Sequence, residues 1–160
     1  MIEIRVEAPE LGRLTELPDN LRWALGRLLA REAEEAARDL KGELARQRIA
    51  ATSLLINSVK ADRANDLAWR IGPHVEHARY VLDGRKPGGK MPPWRAILDW
   101  MKVRRLGSDR AAAWAIARSI QRRGIEGRDY LTPVADRAAK RLETRGPAAL
   151  AEALGRGDVG

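Results

Sequence analysis

Apolar and polar residues alternate at the start of the chain: Ile2, Ile4 and Val6 against Glu3, Arg5 and Glu7. Period two with β-branched residues predicts a short strand with one buried face. After a loop through Pro9, Gly12 and Pro18 the period changes. Leu25, Leu28, Leu29, Ala33, Ala36, Leu40 and Leu44 fall on one stripe at helical spacing, with Glu32, Glu34, Glu35, Arg38 and Lys41 mostly off it. One helix is expected from about residue 20 to about 48, capped by Asp19 or Asn20, whose side-chain oxygens accept from free first-turn N–H groups. A free coiled coil is the alternative, against which the stripe is alanine-rich and lasts under four clean heptads.

Further on, the short apolar run over 51–59 predicts one or two helical turns. Val59 and Ala61, then Leu67, Trp69 and Ile71, alternate around Asn65-Asp66, and Gly72-Pro73 follows. That pattern predicts a β-hairpin over 59–73. Residues 76–84 fit a helix or a strand. Pro93 suits the first turn of a helix whose inner face is Trp94, Ile97, Leu98 and Met101, stopped by Leu106-Gly107. Ser108 is placed to cap a helix to about residue 123, with Ala113, Ile116, Ala117 and Ile120 inward and Gly124 at its end. Thr132 is placed to cap, with Pro133 as first helical position, a last helix that Gly146-Pro147 is expected to break. The sum is α+β: a small antiparallel β-sheet packed with one long N-terminal helix and several shorter C-terminal helices. Residues 1–145 read as one domain and 146–160 as a partly flexible extension.

Charge changes the picture more than composition does. Residues 1–60 hold 10 basic and 10 acidic side chains, while residues 61–160 hold 20 against 12 and so carry the whole net charge of +8. Between Arg79 and Arg123 only Asp83, Asp99 and Asp109 oppose 12 basic residues. A field of one sign favours an acidic partner, whether nucleic acid, an acidic protein face or a membrane surface; the competing reading is a solvated arginine-rich surface. Trp94, Trp100 and Trp114 interleave with Arg85, Lys86, Lys90, Arg104, Arg105, Arg122 and Arg123, which are the candidate partner- or DNA-facing residues. Trp94 belongs with its apolar helical face as core, whereas Trp100 and Trp114 suit interface anchors.

The candidate chemistry thins under inspection. There is no cysteine, so no disulfide, thiolate metal site or cysteine nucleophile. No apolar run reaches the ~20 residues of a membrane span, and the acidic, alternating N-terminus does not read as a signal peptide. No membrane role is expected. Gly84, Gly89 and Lys90 stand in the order G-x-x-x-x-G-K, but Met91 takes the place of the metal-binding hydroxyl. Pro92 and Pro93 remove N–H groups where a phosphate-binding first turn would offer them. His74, Glu76 and His77 lack a further ligand at suitable spacing and read as ordinary loop residues. Ser53, Ser58, Ser108 and Ser119 have no base at recognisable spacing, and no carboxylate pair stands out. The expectation is a binding protein rather than an enzyme, with no metal and no cofactor.

The order of several short motifs resembles the small tail-completion, or minor tail, proteins of the neck region of long-tailed bacteriophages. The matching residues are Thr52, Leu55 and Ser58; Gly72 and Pro73; Tyr80, Gly84 and Arg85; Met91, Pro92 and Pro93; Trp100; and Ile116, Ala117, Ile120, Gly124, Tyr130 and Leu131. The similarity covers about residues 50–140. It departs at Ser53, where family members often carry glycine, and past Leu142, where nothing aligns. The resemblance implies an α+β fold, no catalysis, and a structural role in the virion, assembled in the host cytoplasm. It also implies copies in a ring, a hexamer being favoured, against tail-terminator, tail-tube or connector proteins. On that reading the basic region meets an acidic neighbour or DNA in the neck. The alternative is a nucleic-acid-binding module using the basic 79–123 region.

Overall fold

The computed structural model describes residues 4–7, 18–49 and 53–157. Ile2, Glu3, Pro9, Gly12 and Thr52 of the sequence reading lie outside the described residues. In chain order the elements are β1 (Ile4–Glu7), α1 (Asp19–Arg46), α2 (Leu54–Asn57), β2 (Val59–Asn65), β3 (Ala68–Pro73), α3 (Ala78–Asp83), α4 (Trp94–Val103), α5 (Arg110–Arg123) and α6 (Thr132–Gly157). The three strands form an antiparallel sheet in the order β1-β3-β2, so the fold is α+β as the patterning predicts.

α1 is the spine. Leu28, Leu29, Ala33, Ala36, Ala37, Leu40 and Leu44 bury a broad stripe against the sheet on one side and α6 on the other. Alanines at 33, 36 and 37 let both neighbours approach closely, and Leu55, Val59, Leu67, Ile71, Val134 and Ala138 complete the core. Tyr130 is its largest fully buried side chain. Its hydroxyl donates to the Ala78 carbonyl at 3.1 Å, and burial, then the charge of Asp83, pushes its pKa up to about 12.

Several local expectations are corrected. Neither Asp19 nor Asn20 caps α1; Asp19 is its first helical residue, and Asn20 Nδ2 instead donates to the Ala153 carbonyl at 3.1 Å, tying the two ends of the chain's long helices. Asp109, not Ser108, caps α5, accepting from Ala111 N and Ala112 N at 3.1 Å each. A carboxylate reaches two amides where a serine hydroxyl reaches one. Ahead of α6, Asp129 rather than Thr132 collects the free N–H groups, those of Leu131 at 3.0 Å and Thr132 at 2.9 Å. The hairpin turns at Asp66-Leu67, one residue later than expected, because Asn65 Oδ1 accepts from Leu67 N at 2.8 Å. Residues 78–83 resolve as helix.

Two larger corrections concern α6. Gly146-Pro147 does not break it: the helix runs for 26 residues with Pro147 inside. Its packing along α1 outweighs the lost hydrogen bond. The acidic residues of α1 are also not all off its buried stripe, for Glu32 and Glu43 are buried. They face arginines of α6 in an antiparallel ladder. Arg141 Nε binds Glu32 Oε2 at 2.8 Å and its terminal nitrogen binds Asp39 Oδ2 at 2.7 Å. Arg145 binds Glu35 Oε2 at 2.7 Å and also Glu32; Arg137 reaches Glu43 Oε2 at 3.6 Å. Burial opposes the charge of Arg141, but its bonds to Glu32 and Asp39 outweigh that and raise its pKa.

Candidate interaction surface

The loop from Gly84 to Lys90 does not hang free. Arg85 N donates to Ile125 O at 2.7 Å, and Ile125 N donates back to Arg85 O at 2.8 Å. On either side of this bridge, Gly88 N reaches Gln121 O at 2.8 Å and Arg128 N reaches Val81 O at 3.0 Å. Three glycines make the crossing possible. A Cβ on Gly84 would lie 2.3 Å from Ile125 O, one on Gly124 would lie 2.1 Å from Arg85 O, and one on Gly127 would lie 2.2 Å from Leu82 O. Gly84 and Gly124 also take positive φ, 73° and 75°. The first glycine of the apparent phosphate motif thus serves backbone packing. Met91, Pro92 and Pro93 are non-helical, and α4 begins only at Trp94.

This crossing brings part of the candidate set together. Lys86, from the loop, abuts the end of α5, where Arg122 and Arg123 are both exposed. Lys90 is exposed further along, whereas Arg85 is half-buried with its guanidinium folded back over Gly89. Arg104 is held by a different neighbour, and Trp100 and Arg105 beside it are exposed. The Arg104 guanidinium donates to the Arg48 carbonyl at 2.6 Å, linking the end of α4 to the end of α1. Arg105 sits at positive φ, 57°, closing α4; Leu106 N bonds Met101 O at 2.9 Å and Arg105 N bonds Lys102 O at 3.0 Å. Trp100 is 38% exposed on α4.

Contrary to expectation, Trp94 is not in the core: it is half-buried at the start of α4, a helix in which only Met101 is buried, with the guanidinium of Arg110 4.7 Å and that of Arg95 5.2 Å from its ring centroid. Two arginines that the sequence reading did not single out, Arg110 and Arg118, join Trp114 and Arg122 along α5. Their four-residue spacing was the available signal. The arginine stripe of the α1–α6 ladder carried the same spacing signal, in Arg137, Arg141 and Arg145, though not the identity of its partner helix.

His74 and Ser58 have structural partners. His74 Nε2 lies 2.6 Å from Asp62 Oδ2, and its Nδ1 is 3.3 Å from Ser58 O, so both ring nitrogens serve the end of the hairpin. His77 and Glu76 are exposed at the start of α3. Ser58 Oγ donates to Leu55 O at 2.8 Å. Among the described residues no group of three or more potential ligands is placed to hold a metal, and no helix is long and apolar enough to cross a membrane. No family model, no curated protein and no solved structure matches the chain.

Proposed function

We propose that this protein is an assembly component of a bacteriophage neck, working by surface contact rather than catalysis. It completes the head-proximal end of a tail or the head–tail joint as a ring of identical copies against neighbouring virion proteins. The observation that carries the reading is the crossing of residues 81–88 with 121–128. It stiffens a basic loop and fixes it beside the basic end of α5, and a stiff surface loses little entropy on docking. The ordered motifs support the same reading. Leu55, Gly72, Gly84, Ala117 and Tyr130, all part of the resemblance, are buried, which suits a shared scaffold rather than a shared reaction. The resolved carboxylate shifts have structural causes: Glu43 is lowered to about 2 by Arg46 and Gln47, Glu35 is lowered by Arg145, and Asp129 by Thr132.

Mass spectrometry of phage particles purified from the encoding host tests the reading, together with negative-stain imaging of the purified chain alone and mixed with particle lysate. The expected result is the chain in the particle and closed rings on imaging. Its absence from purified particles overturns the proposal. The nucleic-acid alternative predicts steeply salt-dependent binding of free DNA, which a gel shift at two salt concentrations detects.

A further inference from the structure

Arg110, Trp114, Arg118 and Arg122 stand four residues apart along α5. Each such step sets neighbours about 6 Å apart and turns the stripe by about 40°, so it winds along α5 from Arg110, over Trp94, to Arg122. With Ala111, Ala115 and the capping residue Asp109, whose carboxylate is occupied by the Ala111 and Ala112 amides, they line a shallow groove along α5, while Ala113 and Ala117 are buried. The three arginines are exposed and Trp114 is 37% exposed. α5 contains no acidic residue, and no carboxylate among the described residues forms an ion pair with Arg110, Arg118 or Arg122.

The same molecule shows what an arginine stripe of this spacing accepts. Arg137, Arg141 and Arg145 recur every four residues on α6, and their occupant is α1, a helix carrying Glu32, Glu35, Asp39 and Glu43. Two antiparallel helices share one rise per residue, so cations every four positions on one meet carboxylates every three or four on the other. Small residues between the charges let the axes approach; α1 supplies Ala33, Ala36 and Ala37, and α5 supplies Ala111 and Ala115. A single nucleic-acid strand would satisfy the arginines and stack a base on Trp114, but the alanines between the charges, like those of α1, favour a helix as the occupant.

We propose that the outer face of α5 docks an acidic amphipathic helix of a partner protein. Its carboxylates pair with Arg118 and Arg122, its apolar side covers Trp114 and Ala115, and Arg110, stacked over Trp94, borders the groove. This deepens the assembly reading by naming the chemistry of the neighbour.

The test uses the full chain and a labelled helical peptide of roughly 20 residues, with glutamates at four-residue steps flanked by alanine and leucine. Fluorescence anisotropy reads binding. The peptide is expected to bind the native chain and to bind the Arg118→Glu/Arg122→Glu variant at least about tenfold more weakly. A peptide with lysines in place of the glutamates is expected to bind that variant and not the native chain. Circular dichroism of the variant checks its fold, and Arg118→Ala serves as a milder second variant. Three outcomes overturn the proposal: no binding of the glutamate peptide at millimolar concentration, binding indifferent to both variants, or a single-stranded oligonucleotide of equal charge binding more tightly at the same arginines. Rings and particle incorporation are scored separately, so loss of peptide binding with rings intact removes this inference and leaves the assembly reading standing.

Discussion

Gly124 faces the carbonyl oxygen of Arg85 with no room for a side chain between them. The ideal Cβ position lies 2.1 Å from that oxygen and 3.0 Å from Pro87 N, and both obstacles are backbone. Gly124→Ala is therefore expected to destabilise the protein by about 3 kcal/mol or more, combining positive φ with a clash that only main-chain movement relieves. Gly88 supplies the control. Its φ is 79° but nothing lies within 4 Å of its Cβ position, so Gly88→Ala should cost only about 1 kcal/mol. Urea unfolding of the two variants checks the contrast; equal losses would show that the crossing contributes nothing beyond dihedral preference.

Arginine occupies a glycine conformation at two helix ends. Arg48 closes α1 at φ 52° and Arg105 closes α4 at φ 57°, each with the hydrogen bonds of a left-handed helix terminus. The Arg48 carbonyl is the acceptor for Arg104, but the Arg48 side chain is exposed. Arg48→Gly is expected to raise stability by about 0.5–1 kcal/mol, the relief of left-handed strain less the added freedom of the unfolded chain. A lower thermal midpoint would show that the side chain contributes through a contact of its own.

The ladder between α1 and α6 gives a larger effect. Glu32 is fully buried and receives both Arg141 and Arg145. Glu32→Ala should destabilise by about 3–5 kcal/mol, because Arg141, only 17% exposed, loses its buried counter-charge. Adding Arg141→Ala to Glu32→Ala should cost much less than Arg141→Ala alone. Additive losses in a double-mutant cycle would dismiss the pairing as a source of stability.

Acid should weaken the fold through the same face. The Arg46 guanidinium, then Gln47, holds the Glu43 carboxyl at about 2 against an ordinary value of 4.5. The folded state therefore binds this proton less readily than the unfolded chain. The stability it confers is complete above pH 4.5 and is lost as pH falls toward 2. Glu35, lowered by Arg145, and Asp129, lowered by Thr132, lose their contributions on the same side of neutrality. Urea midpoints measured across this range should fall with pH, and Glu43→Gln should flatten the curve by removing its share. An unchanged slope in that variant would assign acid sensitivity elsewhere.

Pro147 withholds an N–H from the carbonyl of Glu143 inside α6. Pro147→Ala should stabilise the protein by about 1–3 kcal/mol, since the site is exposed and only the helix geometry is at stake. Calorimetry of the variant checks the direction; a loss would show that a bend at Pro147 is needed for α6 to reach Asn20 on α1.

Local pattern was enough for the elements whose causes are local. The leucine–alanine stripe of α1, the alternation around Asn65, and the apolar face ending at Met101 each reflect the period of one element burying one side. The helix ends were less legible, because Asp109 competes with Ser108, and Asp129 with Thr132, for the same free amides, and the loop path decides which oxygen arrives. The three decisive relationships join residues far apart in the chain. Gly84 meets Ile125, Glu32 meets Arg141, and Arg104 meets Arg48 only once α1 has gathered the sheet and α6 around it. Amino-acid order by itself determined an α+β chain with its positive charge massed in one half. The tertiary structure alone decided that the α6 arginines are neutralised against α1 while Arg118 and Arg122 on α5 stay exposed, because pairing depends on which helix faces lie together, and that is set by packing over the whole core.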